Sequence, residues 1–288
     1  MFRIIFNRRI STDYYKMRIF CPGIAAKATP GQFVMIRVHR FLDPFLRRPF
    51  GIHSVCGEKD SLRDKECPSC IEILYRMVGK GTLLLSEKEK DEEIDLLGPL
   101  GNGFSVDHNL TTAVLVAGGI GVAPLFFLAQ ALQNMKGKTT GQIKLIVFVG
   151  GETKDDILCL KEFNTLGARL KVSTNDGSVG IKGLVTDLLL DFLSNPPPSK
   201  NQSVMLFGCG PSPMLRTLSD IALSHDIPCQ ISLESRMACG VGACLGCAVP
   251  TVNTIREIRE ISYQRVCKEG PIFDSTVVLW DTPLLTSS

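Results

Sequence analysis

The 288-residue sequence predicts a multidomain α+β and α/β protein in three parts: an antiparallel β-barrel, a doubly wound parallel sheet and a small cysteine-rich segment. Three observations predict it. Residues 1–107 read as short β segments between Gly and Pro turns, with no long helical period. From residue 111, apolar strand-like runs alternate with helical ones, the signature of strand–crossover–strand units. The last part, from about residue 230, is too small to hold together by apolar burial and carries "CGVGACLGC" (Cys239–Cys247). The expected boundaries are 1–107, 108–229 and 230–288.

In the first part "FVMIRV" (Phe33–Val38), "CIEILYRMV" (Cys70–Val78) and "EEIDLLG" (Glu92–Gly98) are strand-like. Pro30-Gly31, Gly57, Gly79–Gly81 and Gly98-Pro99 punctuate them. The charged run Glu58–Glu66 reads as an exposed loop extension. In the second part "TAVLVAGG", "IKLIVFVGG", "ARLKVSTNDG" and "SVMLFGCG" read as buried parallel strands. "APLFFLAQALQNM", "KGLVTDLLLDFL" and "PSPMLRTLSDIAL" have helical spacing, and Pro196–Pro198 reads as a linker.

Composition excludes several classes. A hydrophobic content of 44% and a charged content of 21% belong to a globular chain rather than a disordered one. A net charge of +3 is too small to argue for nucleic acid. The N-terminus lacks the apolar core of a signal peptide. Residues 110–135 carry no charge, but Gly118, Gly119, Gly121 and Pro124 interrupt them, so strand, turn and helix explain the run better than a membrane span. Eleven cysteines are many, and outside the tail they are scattered among apolar residues. That fits buried thiols in a reducing cytoplasm, not a disulfide framework.

Cys239, Cys244 and Cys247 are spaced C-x4-C-x2-C, and Cys267 follows after 19 intervening residues. This is the plant-type spacing of a [2Fe–2S] cluster, which needs four thiolates. Gly240, Gly242 and Gly246 suit a loop whose backbone N–H groups approach sulfur. A tetrahedral zinc site is the alternative, although zinc sites pair CxxC with a second CxxC or with histidines. Cys67 and Cys70 form a CxxC with no second pair.

"GGIGVAP" (Gly118–Pro124) joins the first parallel strand to its helix, and Gly118, Gly119 and Gly121 suit a pyrophosphate at a helix start. "GCGPSPM" (Gly208–Met214) gives a second such turn, where Gly210 and Pro211 follow Cys209. Two glycine turns on one sheet edge would form a crevice for a dinucleotide. Cys209 is either a thiol beside a nicotinamide or a small residue chosen for fit. Glu152, after the second strand, offers hydrogen bonds to a ribose, and with no arginine following closely it leans toward NAD over NADP. In the first part Arg48, within "RRPFGIHSV", suits a phosphate or an aromatic ring. "VGKGT", with Gly79, Lys80, Gly81 and Thr82, offers backbone donors and a hydroxyl to a pyrophosphate. "GPLGNGF" (Gly98–Phe104) suits either the end of this part or an interdomain hinge.

Taken in order, "PGQF" at 30–33, "RRPF" at 47–50, "VGKGT" at 78–82, "GGIGVAP" at 118–124, "CGPSPML" at 209–215 and "SLESRMACGVGACLGCAV" at 232–249 resemble the ferredoxin–NADP reductase superfamily. More narrowly, the chain resembles the iron–sulfur electron-transfer subunits of class 1B dihydroorotate dehydrogenases. The resemblance implies FAD, one [2Fe–2S] cluster and an NAD site. It puts Arg48, Pro49, Phe50 and Gly51 at the flavin motif, Gly79–Thr82 at the FAD diphosphate, and Gly119, Gly121, Cys209, Gly210 and Pro211 at the nicotinamide side. It makes Cys239, Cys244, Cys247 and Cys267 the cluster ligands. It also implies a separate FMN-containing catalytic subunit, in a two-plus-two heterotetramer. Gly51 stands where the family usually has a hydroxyl, and Ser54 is the candidate to replace it. The alternative is the NAD(P)-binding subunit of a ferredoxin:NADP oxidoreductase or sulfide dehydrogenase, a family whose first cluster ligand is an aspartate.

Overall fold

Strands β1 (Phe2–Arg9), β2 (Tyr14–Phe20), β3 (Phe33–Arg37), β4 (Arg48–Lys59), β5 (Glu66–Arg76) and β6 (Glu93–Leu100) close an antiparallel barrel in the order β1-β2-β5-β4-β3-β6. They are seen in a computed structural model describing residues 1–39, 41–59, 66–135, 143–194, 203–255 and 258–280, with backbone alone at 58–59, 66–68, 253–255 and 258–259. Residues 60–65 of the expected charged loop and the Pro196–Pro198 linker lie outside the described residues; Glu58, Lys59 and Glu66 belong to β4 and β5. Alternation fills the barrel. Val34 and Ile36 of β3 point inward with Ile52, Ile71 and Ile73, whereas Phe33 and Met35 point outward into the core of the remainder of the chain.

Two short helices interrupt the barrel strands, α1 (Pro22–Ala25) and α2 (Lys80–Ser86). The second converts the expected Gly79–Gly81 turn into a helix start, with Gly79 as its N-cap.

The parallel part comprises β7 (Thr112–Gly118), α3 (Val122–Asn134), β8 (Lys144–Gly151), α4 (Leu160–Thr165), β9 (Arg169–Thr174), β10 (Ile181–Lys182), α5 (Val185–Ser194), β11 (Val204–Cys209), α6 (Ser212–Ser224) and β12 (Cys229–Ser232). Together with β15, described below, these strands form one seven-stranded sheet in the order β10-β9-β8-β7-β11-β12-β15. The uncharged run at 110–135 is strand, turn and 13-residue helix. Among the described residues no helix is long and apolar enough to cross a membrane.

The tail leaves the sheet after β12 and carries the cysteine loop. It then forms a hairpin of β13 (Ala248–Ile255) and β14 (Ile258–Arg265), and returns as β15 (Ile272–Asp274), antiparallel to β12. Thus β12 crosses the expected boundary between residues 229 and 230, and the tail supplies an edge strand to the sheet before it.

Side chains of the barrel and the sheet interlock. The Tyr14 hydroxyl donates to Asp156 Oδ1 at 2.7 Å, and Thr12 Oγ1 to Asp155 Oδ2 at 2.8 Å. Burial and the Asp156 bond push the Tyr14 hydroxyl well above its usual range. Lys16 joins Glu72 (3.3 Å) and Glu162 of α4 (3.8 Å). The "GPLGNGF" segment is pinned as well: Gln32 Nε2 donates to the Gly101 carbonyl at 2.8 Å, and Asn102 Nδ2 donates to that of Glu269 at 2.8 Å.

Candidate functional site

The thiol loop is built from backbone donors. Val241 N–H and Cys244 N–H point at Cys239 Sγ (3.5 and 3.4 Å), Gly246 N–H at Cys244 Sγ (3.5 Å) and Cys267 N–H at Cys247 Sγ (3.4 Å). The first two donors pull Cys239 down to about 6, toward the thiolate a metal requires. Cys267, buried and in contact with Cys247, is pushed up to about 12. The thiols therefore come as two pairs, Cys239 with Cys244 and Cys247 with Cys267. Among the described residues no three His, Cys, Asp or Glu side chains converge on a single metal point. Paired thiols with N–H groups aimed at sulfur suit a two-iron cluster, with two thiolates on each iron. Arg265 braces the loop, donating from Nη1 to the Gly242 carbonyl at 2.8 Å while its Nε donates to Glu269 Oε2 at 2.9 Å. That ion pair holds the Glu269 carboxyl down at about 2.

The loop is seated on the barrel. A Cβ on Gly240 would lie 2.5 Å from Met35 Cγ, and Gly240 has φ +72°, so only glycine lets the chain approach this closely. Across the β3–β4 ladder Met35 faces Pro49 and Phe33 faces Gly51. Cysteine loop, Met35 and the Pro49–Gly51 strand thus form one continuous layer. Phe50, between those two residues, turns into the barrel against Tyr75 at a centroid distance of 5.8 Å.

Arg48 opens β4 and lies against the start of α2. Its Nε would be 3.1 Å from a Cβ on Gly81, and its Nη1 donates to the Leu46 carbonyl at 2.8 Å. The structure thus brings Arg48 together with Gly79–Thr82. Thr82 Oγ1 is used within its own turn, accepting from Val78 N–H (2.9 Å) and Gly79 N–H (3.1 Å). Lys80 is paired with Asp43. Ser54, the candidate replacement for the missing hydroxyl, donates instead to Glu72 Oε2 at 2.9 Å.

On the sheet, β7 and β11 are neighbours, so their glycine turns meet. A Cβ on Gly121 would lie inside contact distance of the Cys209 carbonyl and 2.8 Å from Gly210 N; one on Gly118 would lie 2.8 Å from Pro211 Cδ. These glycines let the two turns close on each other, which sequence spacing alone does not tell. Gly119 has φ +52° and its nearest neighbour is the Tyr14 hydroxyl. Pro211 caps α6. Cys209 is buried, which drives its thiol well above the usual range, with Glu234 adding to the effect. Glu234, quoted in the 232–249 stretch but assigned no role there, is raised by loss of solvation although the residue is exposed. Its proximity to Cys209 depends on β12 lying beside β11, which no local pattern reveals. Glu152 is exposed after β8, its N–H held by Asp156 Oδ2 at 3.1 Å.

His53 couples the two halves. Its Nδ1 bonds to the Ala123 carbonyl at 3.1 Å, its ring stacks on Phe126 at 4.8 Å, and Pro124 lies 3.8 Å from where a Gly51 Cβ would sit. Strand β4, which carries Arg48–Gly51, is thereby docked on the first turn of α3. Burial, then Lys16, lowers His53 to about 4. Its unfolded value is near 6.5, so on acidification the unfolded chain binds the proton first. The stability tied to neutral His53 is present above pH 6.5 and falls toward pH 4. By pH 5 the loss should be about 2 kcal/mol. Denaturant unfolding at pH 7 and pH 5 checks this, and His53→Phe should show a smaller difference by that amount.

Fold, paired thiols and facing glycine turns define a pyridine-nucleotide-linked reductase with an iron–sulfur centre. Residues 234–279 match the family model described as the iron-sulfur cluster binding domain of dihydroorotate dehydrogenase B, and residues 115–220 match the oxidoreductase NAD-binding domain. The dihydroorotate dehydrogenase B (NAD(+)) electron transfer subunit of Desulforamulus reducens is 39% identical over 94% of this chain and 95% of its own. That of Fusobacterium nucleatum is 40% identical over 93% of each. Among solved structures, an NADH-dependent reduced ferredoxin-NADP oxidoreductase studied for flavin-based electron bifurcation superposes with TM-score 0.79 and 28% identity, covering 99% of this chain and 92% of that one. A Neisseria gonorrhoeae ferredoxin NADP+ reductase solved with FAD and NADP shares the fold, with TM-score 0.61 at 14% identity over 78% of this chain and 90% of that one. The chain belongs to the family of dihydroorotate dehydrogenase B electron transfer subunits.

Proposed function

We propose that this chain carries electrons between a dihydroorotate-oxidising catalytic subunit and NAD, in the cytoplasm, as one half of an NAD-dependent dihydroorotate dehydrogenase. The observation that carries it is the unbroken layer from the cysteine loop through Met35 to Pro49 and Gly51. Cys239, Cys244, Cys247 and Cys267 hold a [2Fe–2S] cluster. Arg48 and the Gly79–Thr82 helix start hold the FAD diphosphate, with Pro49 and Gly51 beside its ring. Gly118–Gly121, Gly210 and Pro211 hold the dinucleotide. When bound, FAD supplies the exchange between hydride transfer with NAD and the one-electron steps of an iron–sulfur centre. Buried Phe33 and Met35 keep water out of the space between loop and flavin strand. Arg265 fixes the loop, and His53 fixes that strand against α3.

The partner is an FMN-containing catalytic subunit, assembled two plus two with this chain. Purified alone, the chain should pass electrons from NADH to a dye yet form no orotate from dihydroorotate. Adding the catalytic subunit should create NAD⁺-dependent orotate formation, followed by orotate absorbance. Robust turnover by the chain alone would overturn the division of labour.

Glu152 on the sheet edge that receives the ribose leads to a second expectation. Flavin reduction in stopped flow should be faster with NADH than with NADPH at equal concentration, and Glu152→Ala should narrow the difference. Equal rates in the unmodified chain would remove the ribose argument.

A further inference from the structure

The barrel holds a thiol pair that electron transfer does not use. Cys56 of β4 and Cys70 of β5 are Cα partners in the antiparallel ladder. Opposed residues there sit about 4.5–5.5 Å apart and project from the same face, within the ~4.4–6.8 Å span a disulfide bridges. Cys56 Sγ is 3.9 Å from the Cys70 carbonyl oxygen, and the two thiol groups are in contact. Both are free thiols; Cys56 is half-buried, while Cys70 is only 2% exposed. A third thiol, Cys21, lies near them but is fully buried, with its Sγ 3.4 Å from the Ile19 carbonyl oxygen.

We propose that Cys56 and Cys70 are a redox modification site, forming a reversible cross-strand disulfide on reaction with a low-molecular-weight disulfide. Burial sets the order of events. The Cys56 thiolate attacks one sulfur of glutathione disulfide, forming a mixed disulfide and releasing one glutathione thiolate. Cys70 gives its proton to solvent and attacks the Cys56 sulfur, releasing the second glutathione. Two protein thiols are oxidised to one disulfide, and one glutathione disulfide is reduced to two thiols.

Around Cys56 the charged groups are Arg18 of β2, which lowers its thiol, and Glu72 of β5, which raises it. Arg18 is itself bonded to Glu72 at 2.7 Å. Burial prevails, and the thiol is pushed up to about 11. The pair therefore reacts slowly near neutrality and faster as pH rises. Once formed, the bond ties β4 to β5 at the end of the hairpin remote from Arg48.

The test uses the full cofactor-loaded chain, incubated anaerobically with glutathione disulfide at pH 8 and pH 9, then alkylated, digested with trypsin and analysed by mass spectrometry. The expected product joins peptide 48–59 to peptide 66–76 with loss of two hydrogens, and its fragment ions should place the bridge on Cys70 and the alkyl group on Cys67, which shares the second peptide. It should form about tenfold faster at pH 9 than at pH 8 and vanish with dithiothreitol. Cys67→Ser and Cys21→Ser should retain it. Cys70→Ser should lose it and accumulate glutathione on Cys56. An unmodified pair, a lasting glutathione adduct on Cys56 in the wild-type chain, or a bridge to Cys21 or Cys67 would each overturn the proposal. The wild-type mapping decides the matter even where a variant fails to fold.

Discussion

Cys244→Ser is expected to strip the iron from this protein while leaving its flavin chemistry. The unmodified chain, purified anaerobically, should carry about two irons and two sulfides. The variant should carry almost none and lose the visible iron–sulfur absorbance. Cys244 is exposed, and its sulfur meets only Gly246 N–H and its neighbour Cys239 within the same loop, so the hydroxyl costs the fold little. It is a poor ligand because it does not ionise near neutrality and is hard where the cluster wants soft sulfur. The sites proposed for FAD and NAD rest on the barrel and the sheet. NADH-to-dye activity should therefore fall less than a few-fold, while the coupled reaction with the catalytic subunit should fall at least a hundredfold. Stoichiometric zinc with no iron–sulfur spectrum in the unmodified chain would remove the cluster reading.

Gly121→Ala should be among the most damaging single methyls in the parallel part. The added carbon meets backbone, the Cys209 carbonyl group and Gly210 N, rather than the movable end of a side chain. The two glycine turns must then part, at a cost of about 3 kcal/mol or more. The expected results are a lower denaturation midpoint and a steep rise in the NADH concentration needed for half-maximal flavin reduction. Gly119→Ala makes a useful contrast. Its Cβ would meet only the Tyr14 hydroxyl, at 3.8 Å, but φ is +52°, so the penalty is backbone strain alone, about 1 kcal/mol. If the two variants behaved alike, contact between the turns would not be what the glycine at 121 protects.

The parallel strands were legible because burial on both faces writes them as unbroken apolar runs, as in "TAVLVAGG". Barrel strands β1, β2 and β4 were not. "FRIIFNRR" and "RPFGIHSVCGEK" carry arginines, two glycines and a histidine, and only ladder pairing shows them to be strands. Arg48 accordingly begins a strand rather than preceding a turn. α4, six residues long, is too short for a period to register. The candidate residues of the site were legible as motifs, because glycine and cysteine spacing is local. What the spacing could not contain were contacts made by topology: Gly240 on Met35, His53 on Ala123, Glu234 near Cys209, and Cys56 opposite Cys70.

The antiparallel pairing of Ser232 with Ile272 has a consequence for modular exchange. The cysteine-bearing excursion leaves and re-enters the sheet at two facing backbone positions, a few ångströms apart. In evolutionary terms it is a cassette: a short turn could close the gap without disturbing either neighbouring strand. Excision would not be silent, because it would bare the outward side chains of Phe33 and Met35 on the barrel wall. A descendant that discarded the metal module would have to recolour those two positions polar, or find them another cover.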